Sequence, residues 1–259
     1  MSLLHIQQIQ KSFGANQAVK GISFDVEAGE MLAMIGPNGA GKSTTFNMLN
    51  GQIRPDAGDI VFMGRSLIGR SPREIWQMGV GRTFQVAQTF GSMSLAENVQ
   101  MALLSSASKV YALWQRATLF KRDEAIELLR LVGLETQADK ACSALAYGDV
   151  KRLELAMALA NQPTLLLMDE PTAGMASGER NNLMALIKDL VLDRKSRPNG
   201  LAVLFTEHSM DVVFGYADRV MVLARGELIA QGSPQEVRDH ALVQSVYLGY
   251  GQTFQAVNA

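Results

Sequence analysis

The sequence predicts an α/β fold, a mostly parallel sheet covered on both faces with a helical stretch inserted in the middle. Three observations predict it. Strand-like runs alternate with helix-like periodicity in the first and last thirds of the chain. Residues 165–168 are apolar without polar alternation, as a strand buried on both faces is. Residues from about 87 to 160 read as mostly helical.

Taken in order, Ile22, Phe24 and Val26 alternate with Ser23 and Asp25, a half-buried strand that ends at the turn Ala28-Gly29-Glu30. Residues 31–35 form a short apolar strand that runs directly into a Gly-rich loop. Residues 43–50 read as a helix stopped by Gly51, and Asp56-Ala57-Gly58-Asp59 as a turn into a strand over 60–63. Ser94 and Glu97 have capping-box spacing and open a helix carrying Val99, Met101 and Leu103. A second helix covers 125–132 and is punctuated by Gly133. A third covers 148–161, with Val150, Leu153, Met157 and Ala160 on one stripe and Pro163 beyond its end. After the strand at 165–168 comes a helix over 179–192 that turns Leu183, Leu186, Ile187 and Leu190 inward. Residues 194–200 are a loop with solvent-facing basic residues, 201–205 and 220–223 are strands, and Ser233 caps a helix with Pro234 in its first turn.

At 259 residues the chain suits one large domain with an inserted subdomain, and 47% hydrophobic residues can fill its core. A net charge of −1 argues against bulk electrostatic binding to nucleic acid or anionic lipid. The single Cys142 precludes an internal disulfide framework and reads as a small, partly buried residue. The start Met1-Ser2-Leu3-Leu4-His5 lacks the basic and apolar regions of a signal peptide. The apolar runs fall far short of the ~20 residues that a membrane helix needs, so the expected location is cytosolic with any membrane contact peripheral.

Three features carry chemistry. Gly36-Pro37-Asn38-Gly39-Ala40-Gly41-Lys42-Ser43 fits the phosphate-loop pattern, lies between a strand and a helix, and continues into Thr44. Its glycines let backbone N–H groups converge on phosphate oxygens beside a positive helix end. Lys42 adds a point charge and Ser43 a hydroxyl for Mg²⁺. Second, the strand at 165–168 ends in Asp169-Glu170, which places two carboxylates at the sheet edge where ligands bind in open α/β folds. Asp169 would hold the metal and Glu170 would orient and polarise the attacking water. Third, His208 follows the strand at 201–205 and reaches the same edge, where an imidazole can hold a γ-phosphate and help position the water.

With these residues in place, the chain resembles an ABC-transporter ATPase along essentially its full length. Gln85, in Gly81-Arg82-Thr83-Phe84-Gln85, matches the family's Q-loop, which implies contact with Mg²⁺, the water and a membrane partner. Phe13 matches the aromatic that stacks on adenine. Leu145-Ala146-Tyr147-Gly148-Asp149 stands where the family carries its signature L-S-G-G-Q. The resemblance implies that Ala146 and Gly148 act in trans, on ATP held by another subunit. Ala146 lacks the signature's hydroxyl, Asp149 adds a carboxylate, and Ala176 replaces the Asp common in the loop that links the two sites. The variant signature, Ala173-Gly174-Met175 and the tail Tyr247-Leu248-Gly249 are similar to one ATPase of the branched-chain amino-acid importers, a branch that also serves urea and short amides.

The resemblance implies a RecA-like phosphate-loop NTPase core with a mostly parallel sheet, an N-terminal antiparallel β-subdomain and an inserted helical subdomain. The expected division is 1–86 for the β-subdomain and first part of the core, 87–160 for the helical signature subdomain, 161–240 for the second part of the core, and 241–259 for the tail. The implied cofactors are ATP and Mg²⁺. The implied partners are integral membrane permease subunits, a second ATPase subunit that is identical or paralogous, and a solute-binding protein indirectly, with no nucleic acid. The implied location is peripheral, on the cytoplasmic face of the cell (inner) membrane. A soluble ABC ATPase of an assembly system and a lipopolysaccharide-export-type ATPase remain open beside the importer reading.

Overall fold

The computed structural model describes residues 2–83, 89–106, 121–194 and 200–249. In chain order the elements begin with β1 (Ser2–Phe13), β2 (Asn16–Glu27) and β3 (Met31–Ile35), then α1 (Lys42–Leu49), β4 (Ala57–Phe62) and β5 (Arg65–Ser66). Next come α2 (Pro72–Gln77), β6 (Val80–Thr83), α3 (Leu95–Ser106), α4 (Arg122–Leu131) and α5 (Tyr147–Leu159). The last third holds β7 (Leu165–Asp169), α6 (Ser177–Arg194), β8 (Ala202–Thr206), α7 (Met210–Tyr216), β9 (Arg219–Ala224), β10 (Glu227–Gly232), α8 (Pro234–Asp239) and α9 (Ala241–Gly249).

Two sheets result. One is antiparallel, in the order β2-β1-β4-β5. The other has the order β10-β9-β3-β8-β7-β6, with β6, β7, β8, β3 and β9 parallel and β10 antiparallel at one edge. Successive side chains of a strand point to opposite faces, and this sorts the apolar runs into two cores. Leu32 and Met34 of β3, Leu165 and Leu167 of β7, and Ala202 and Leu204 of β8 pack with Leu4, Ile6, Phe24 and Phe62 of the antiparallel sheet and Phe46 of α1. The alternate residues Met31, Ala33, Ile35, Leu166, Met168, Val203 and Phe205 pack on the other side, against the helices. Each strand is therefore buried on both faces, which is why its run carries no polar alternation. Burying one such side chain is worth about 1.5–3 kcal/mol.

Among the described residues, three helices start at capping boxes. Ser71 and Glu74 open α2, Ser94 and Glu97 open α3, and Ser233 and Glu236 open α8, the serine hydroxyl accepting the third backbone N–H in each case. The second and third of these serines were legible in the sequence. The first, in Ser71-Pro72-Arg73-Glu74, carries the same signal as Ser233-Pro234-Gln235-Glu236.

The structure corrects two local expectations. Residues 56–59 do not form a turn, because β4 begins at Ala57. Gly58, at φ +89°, instead faces the carbonyls of Gln7 and Gln8, where the β1–β4 register shifts. A side chain there would lie 2.4 Å from the Gln8 oxygen, so a glycine bulge within the sheet reads as a turn from composition alone. In α5, Val150 and Met157 are only half-buried, whereas Lys151, Glu154 and Leu155 are buried. The helix packs against α3, α4 and β6, so most of its circumference is covered. Lys151 and Glu154 are tolerated inside as an ion pair at 3.4 Å.

Candidate active site

The phosphate loop leaves β3 at the C-terminal edge of the parallel sheet and enters α1. Its course needs glycine at two crowded positions. Gly36 (φ +154°) lies so close to the Leu223 carbonyl that an added Cβ would sit 2.2 Å from its oxygen. Gly41 (φ +103°) would meet the Ala18 oxygen at 2.6 Å. The Lys42 ammonium is buried and donates to the carbonyls of Gly36 at 2.7 Å and Pro37 at 3.2 Å. Burial pulls its pKa down from the usual lysine range, while the neighbouring Glu170 and Asp169 carboxylates pull it up.

Two strands away, β7 ends in Asp169, and β8 lies between it and β3. Thr206, at the end of β8, donates its hydroxyl to Asp169 Oδ1 at 2.7 Å and accepts the Glu170 N–H at 3.0 Å. Glu170 takes a left-handed backbone at φ +48°, an unfavourable conformation for a side-chain-bearing residue that is found at functional sites. Its Oε1 lies 2.9 Å from His208 Nε2. The buried Glu207 fastens the following loop, accepting from Thr172 N at 2.9 Å and Thr172 Oγ1 at 2.7 Å.

A cleft of about 700 Å³ opens over the loop and is lined by Phe13, by every residue from Asn38 to Thr44, and by Glu170. The structure therefore gathers most of the expected site. Gly36 and Pro37 do not line it but accept from the Lys42 ammonium. Asp169 and His208 join it through Thr206 and Glu170. Phe13 is 48% exposed at the end of β1, with the Lys11 ammonium 5.7 Å from its ring centroid. Gln85 lies outside the described residues. Ala146 and Gly148 are not part of the cleft wall; Ala146 precedes α5 without a side-chain cap, and Asp149 accepts from Gln137 at 3.3 Å.

Sequence reasoning missed several residues here. Thr206 ends apolar β8 and Glu207 follows it, and the turn of the chain toward Asp169 and Thr172 is visible only in three dimensions. Lys20 and Arg225 also line the cleft, brought there because Lys20 N donates to Gly226 O at 2.8 Å. Arg82, on β6, donates to Asn47 and Gln52.

The geometry suits a nucleotide and a hard divalent cation. The Gly39 position is open, with nothing within 4 Å of an added Cβ, in a loop whose N–H groups open α1. The nearby donors are oxygens, those of Ser43 and Asp169. Mg²⁺ is usually bound by one or two carboxylates plus substrate phosphates, a set to which Ser43 and Asp169 could contribute.

A phosphate loop at a helix start, faced by acidic strand ends on a parallel sheet, defines a phosphate-loop nucleoside triphosphatase. The chain belongs to the ABC transporter family, whose model matches residues 19–173, and a second model, the branched-chain amino acid ATP-binding cassette transporter, matches residues 227–252. It is 37% identical to the high-affinity branched-chain amino acid transport ATP-binding protein LivG of Salmonella typhimurium, over 95% of this chain and 98% of that protein. It is 35% identical to BraF of Pseudomonas aeruginosa, a protein described in the same words, with the same coverage of both chains. Among solved structures, the ADP conformation of MJ1267, an ATP-binding cassette of an ABC transporter, superposes with a TM-score of 0.84 at 29% identity, covering 96% of this chain and 99% of that one. The chain is accordingly an ABC-type ATPase that binds nucleotide.

Proposed function

We propose that this chain hydrolyses ATP to power the import of branched-chain amino acids or a related small polar solute. The observation that carries the substrate class is the C-terminal stretch 227–252, which matches the branched-chain model although it lies outside the phosphate-loop core. The relatives' printed function supports it.

In this reading Phe13 stacks on adenine, and the backbone of residues 36–44 with the Lys42 ammonium holds the phosphates. Ser43, Asp169 and Gln85 hold Mg²⁺, which when bound neutralises phosphate charge. Glu170 takes a proton from the attacking water, and His208, bonded to Glu170 Oε1, fixes the carboxylate. The left-handed backbone of Glu170 aims this side chain into the cleft. Ala146 and Gly148, at the start of α5, reach the nucleotide of a second ATPase subunit.

A membrane permease docks beside the helical segment. Phe90 is 47% exposed there, on a loop tied to the buried Asn98, and a groove of about 290 Å³ runs between α2, α3 and α5 past Trp76, Ala102 and Met157. Exposed apolar surface of this kind suits a partner helix. No helix among the described residues is long and apolar enough to cross a membrane, which fits a peripheral subunit on the inner membrane's cytoplasmic face, served indirectly by a solute-binding protein. The mutual packing of α3, α4 and α5 supports reading 87–160 as a subdomain, with 1–86 and 161–240 as the core around it and 241–259 as a tail.

The test is uptake of labelled leucine in cells deleted for the chain. Uptake should fall and be restored by the wild-type chain but not by Lys42→Ala. Unchanged uptake, with purification recovering a soluble scaffold instead of a polytopic membrane protein, would favour an assembly ATPase.

A further inference from the structure

Among the described residues, Thr206 and Arg82 approach opposite oxygens of Asp169. Thr206 donates to Oδ1 at 2.7 Å, and Arg82 Nη2 lies 3.9 Å from Oδ2. The second separation is too long for a hydrogen bond, so the attraction is Coulombic. It is strengthened by burial, since the side chains are only 11% and 16% exposed. Arg82 is held independently of Asp169. Both terminal nitrogens donate to Asn47 Oδ1 at 3.0 Å, and Nη1 donates to Gln52 Oε1 at 3.2 Å. Asn47 belongs to α1, the helix that the phosphate loop opens, so one guanidinium spans β6, the phosphate-loop helix and the acidic end of β7.

We propose that Arg82 is a positioning residue for the cation-binding carboxylate, holding Asp169 Oδ2 in place by charge while Thr206 holds Oδ1. The inference rests on the nucleotide-site reading above and goes beyond it, since no part of that reading assigns Arg82 a role. The physical need is visible in the site. Lys42 attracts both Asp169 and Glu170 from the phosphate-loop side. Arg82 balances that pull from the β6 side. Without it the attraction of Lys42 would act on Asp169 unopposed. The fork of the guanidinium bonds Asn47 twice and still presents charge to Asp169, whereas an ammonium would keep the charge and lose the paired hydrogen bonds to Asn47.

The test measures affinity for a fluorescent ATP analogue by the full chain, with Mg²⁺ titrated in and separately with EDTA present. In Arg82→Gln the Mg²⁺ needed for half-maximal enhancement should rise about 10- to 100-fold, the usual range for removing a group that orients a metal ligand. Affinity in EDTA should hold. Arg82→Lys should recover part of the loss. Asn47→Ala, which loosens Arg82 without touching Asp169, should shift in the same direction by less, and with Arg82→Lys it decides the matter if Arg82→Gln does not fold. An unchanged Mg²⁺ requirement, or equal weakening with and without Mg²⁺, overturns the inference. Failure of the wild-type chain to bind the analogue at all would overturn the nucleotide site itself, a distinct result.

Discussion

At the scale of single residues, charge placed against phosphate decides function. Lys42 is buried and held on its own loop carbonyls, so Lys42→Ala should remove the principal cation facing the phosphates. MgATP affinity should fall and turnover should be lost, as read by calorimetry and phosphate release. A folded Lys42→Ala protein with normal turnover would remove the phosphate-loop reading. His208 acts on Glu170 and not on the loop. His208→Ala should therefore slow hydrolysis while MgATP affinity changes little; equal losses in both would place the histidine in binding. Lys42, Asp169, Glu170 and His208 were legible because each follows a strand or opens a helix, which fixes the sheet edge it reaches. Thr206, Glu207 and Arg82 were not, because their partners Asp169, Thr172 and Asn47 stand far away in the chain.

At the scale of elements, capping sets where helices begin. The Glu236 carboxylate accepts Ser233 N–H and the Ser233 hydroxyl, and these bonds hold its pKa below the usual carboxylate value. A folded pKa below the unfolded one contributes stability above the unfolded value and loses it as pH falls through the folded value. The thermal midpoint of wild type should therefore exceed that of Glu236→Gln at neutral pH, and the gap should close on acidification. A gap that persists in acid would assign the cap to shape and not to charge. Asn98 is fully buried and bonds Phe90 N at 2.7 Å, Phe90 O at 3.1 Å and Ser94 O at 2.9 Å. Asn98→Ala should cost about 1–3 kcal/mol in urea unfolding, since it leaves buried backbone groups without partners. The helix that carries Asn98 was legible from its cap, but the loop it fastens was not, because that bond runs backward by eight residues outside any helical period.

At the scale of the whole molecule, two apolar faces of one parallel sheet carry the architecture, and the sequence displays this as strands without alternation. The order of those strands was not legible, because pairing of β3 between β8 and β9 joins segments more than 150 residues apart. That order brings the phosphate loop beside Glu170. The surface beyond it bears on assembly. Asp149 accepts from Gln137 at 3.3 Å, and we propose that the departures at Ala146, Asp149 and Ala176 together thin a contact between two ATPase subunits. The isolated chain should sediment mainly as a monomer with MgATP, and a tight homodimer would show those departures to be harmless. The claim that the two halves of the core form one hydrolytic site is tested most directly by Glu170→Gln, with MgATP affinity and turnover measured on the same preparation. Affinity should match wild type while turnover falls by about 10²–10⁴-fold, the contribution of a general base; normal turnover, or affinity lost along with it, would contradict the account.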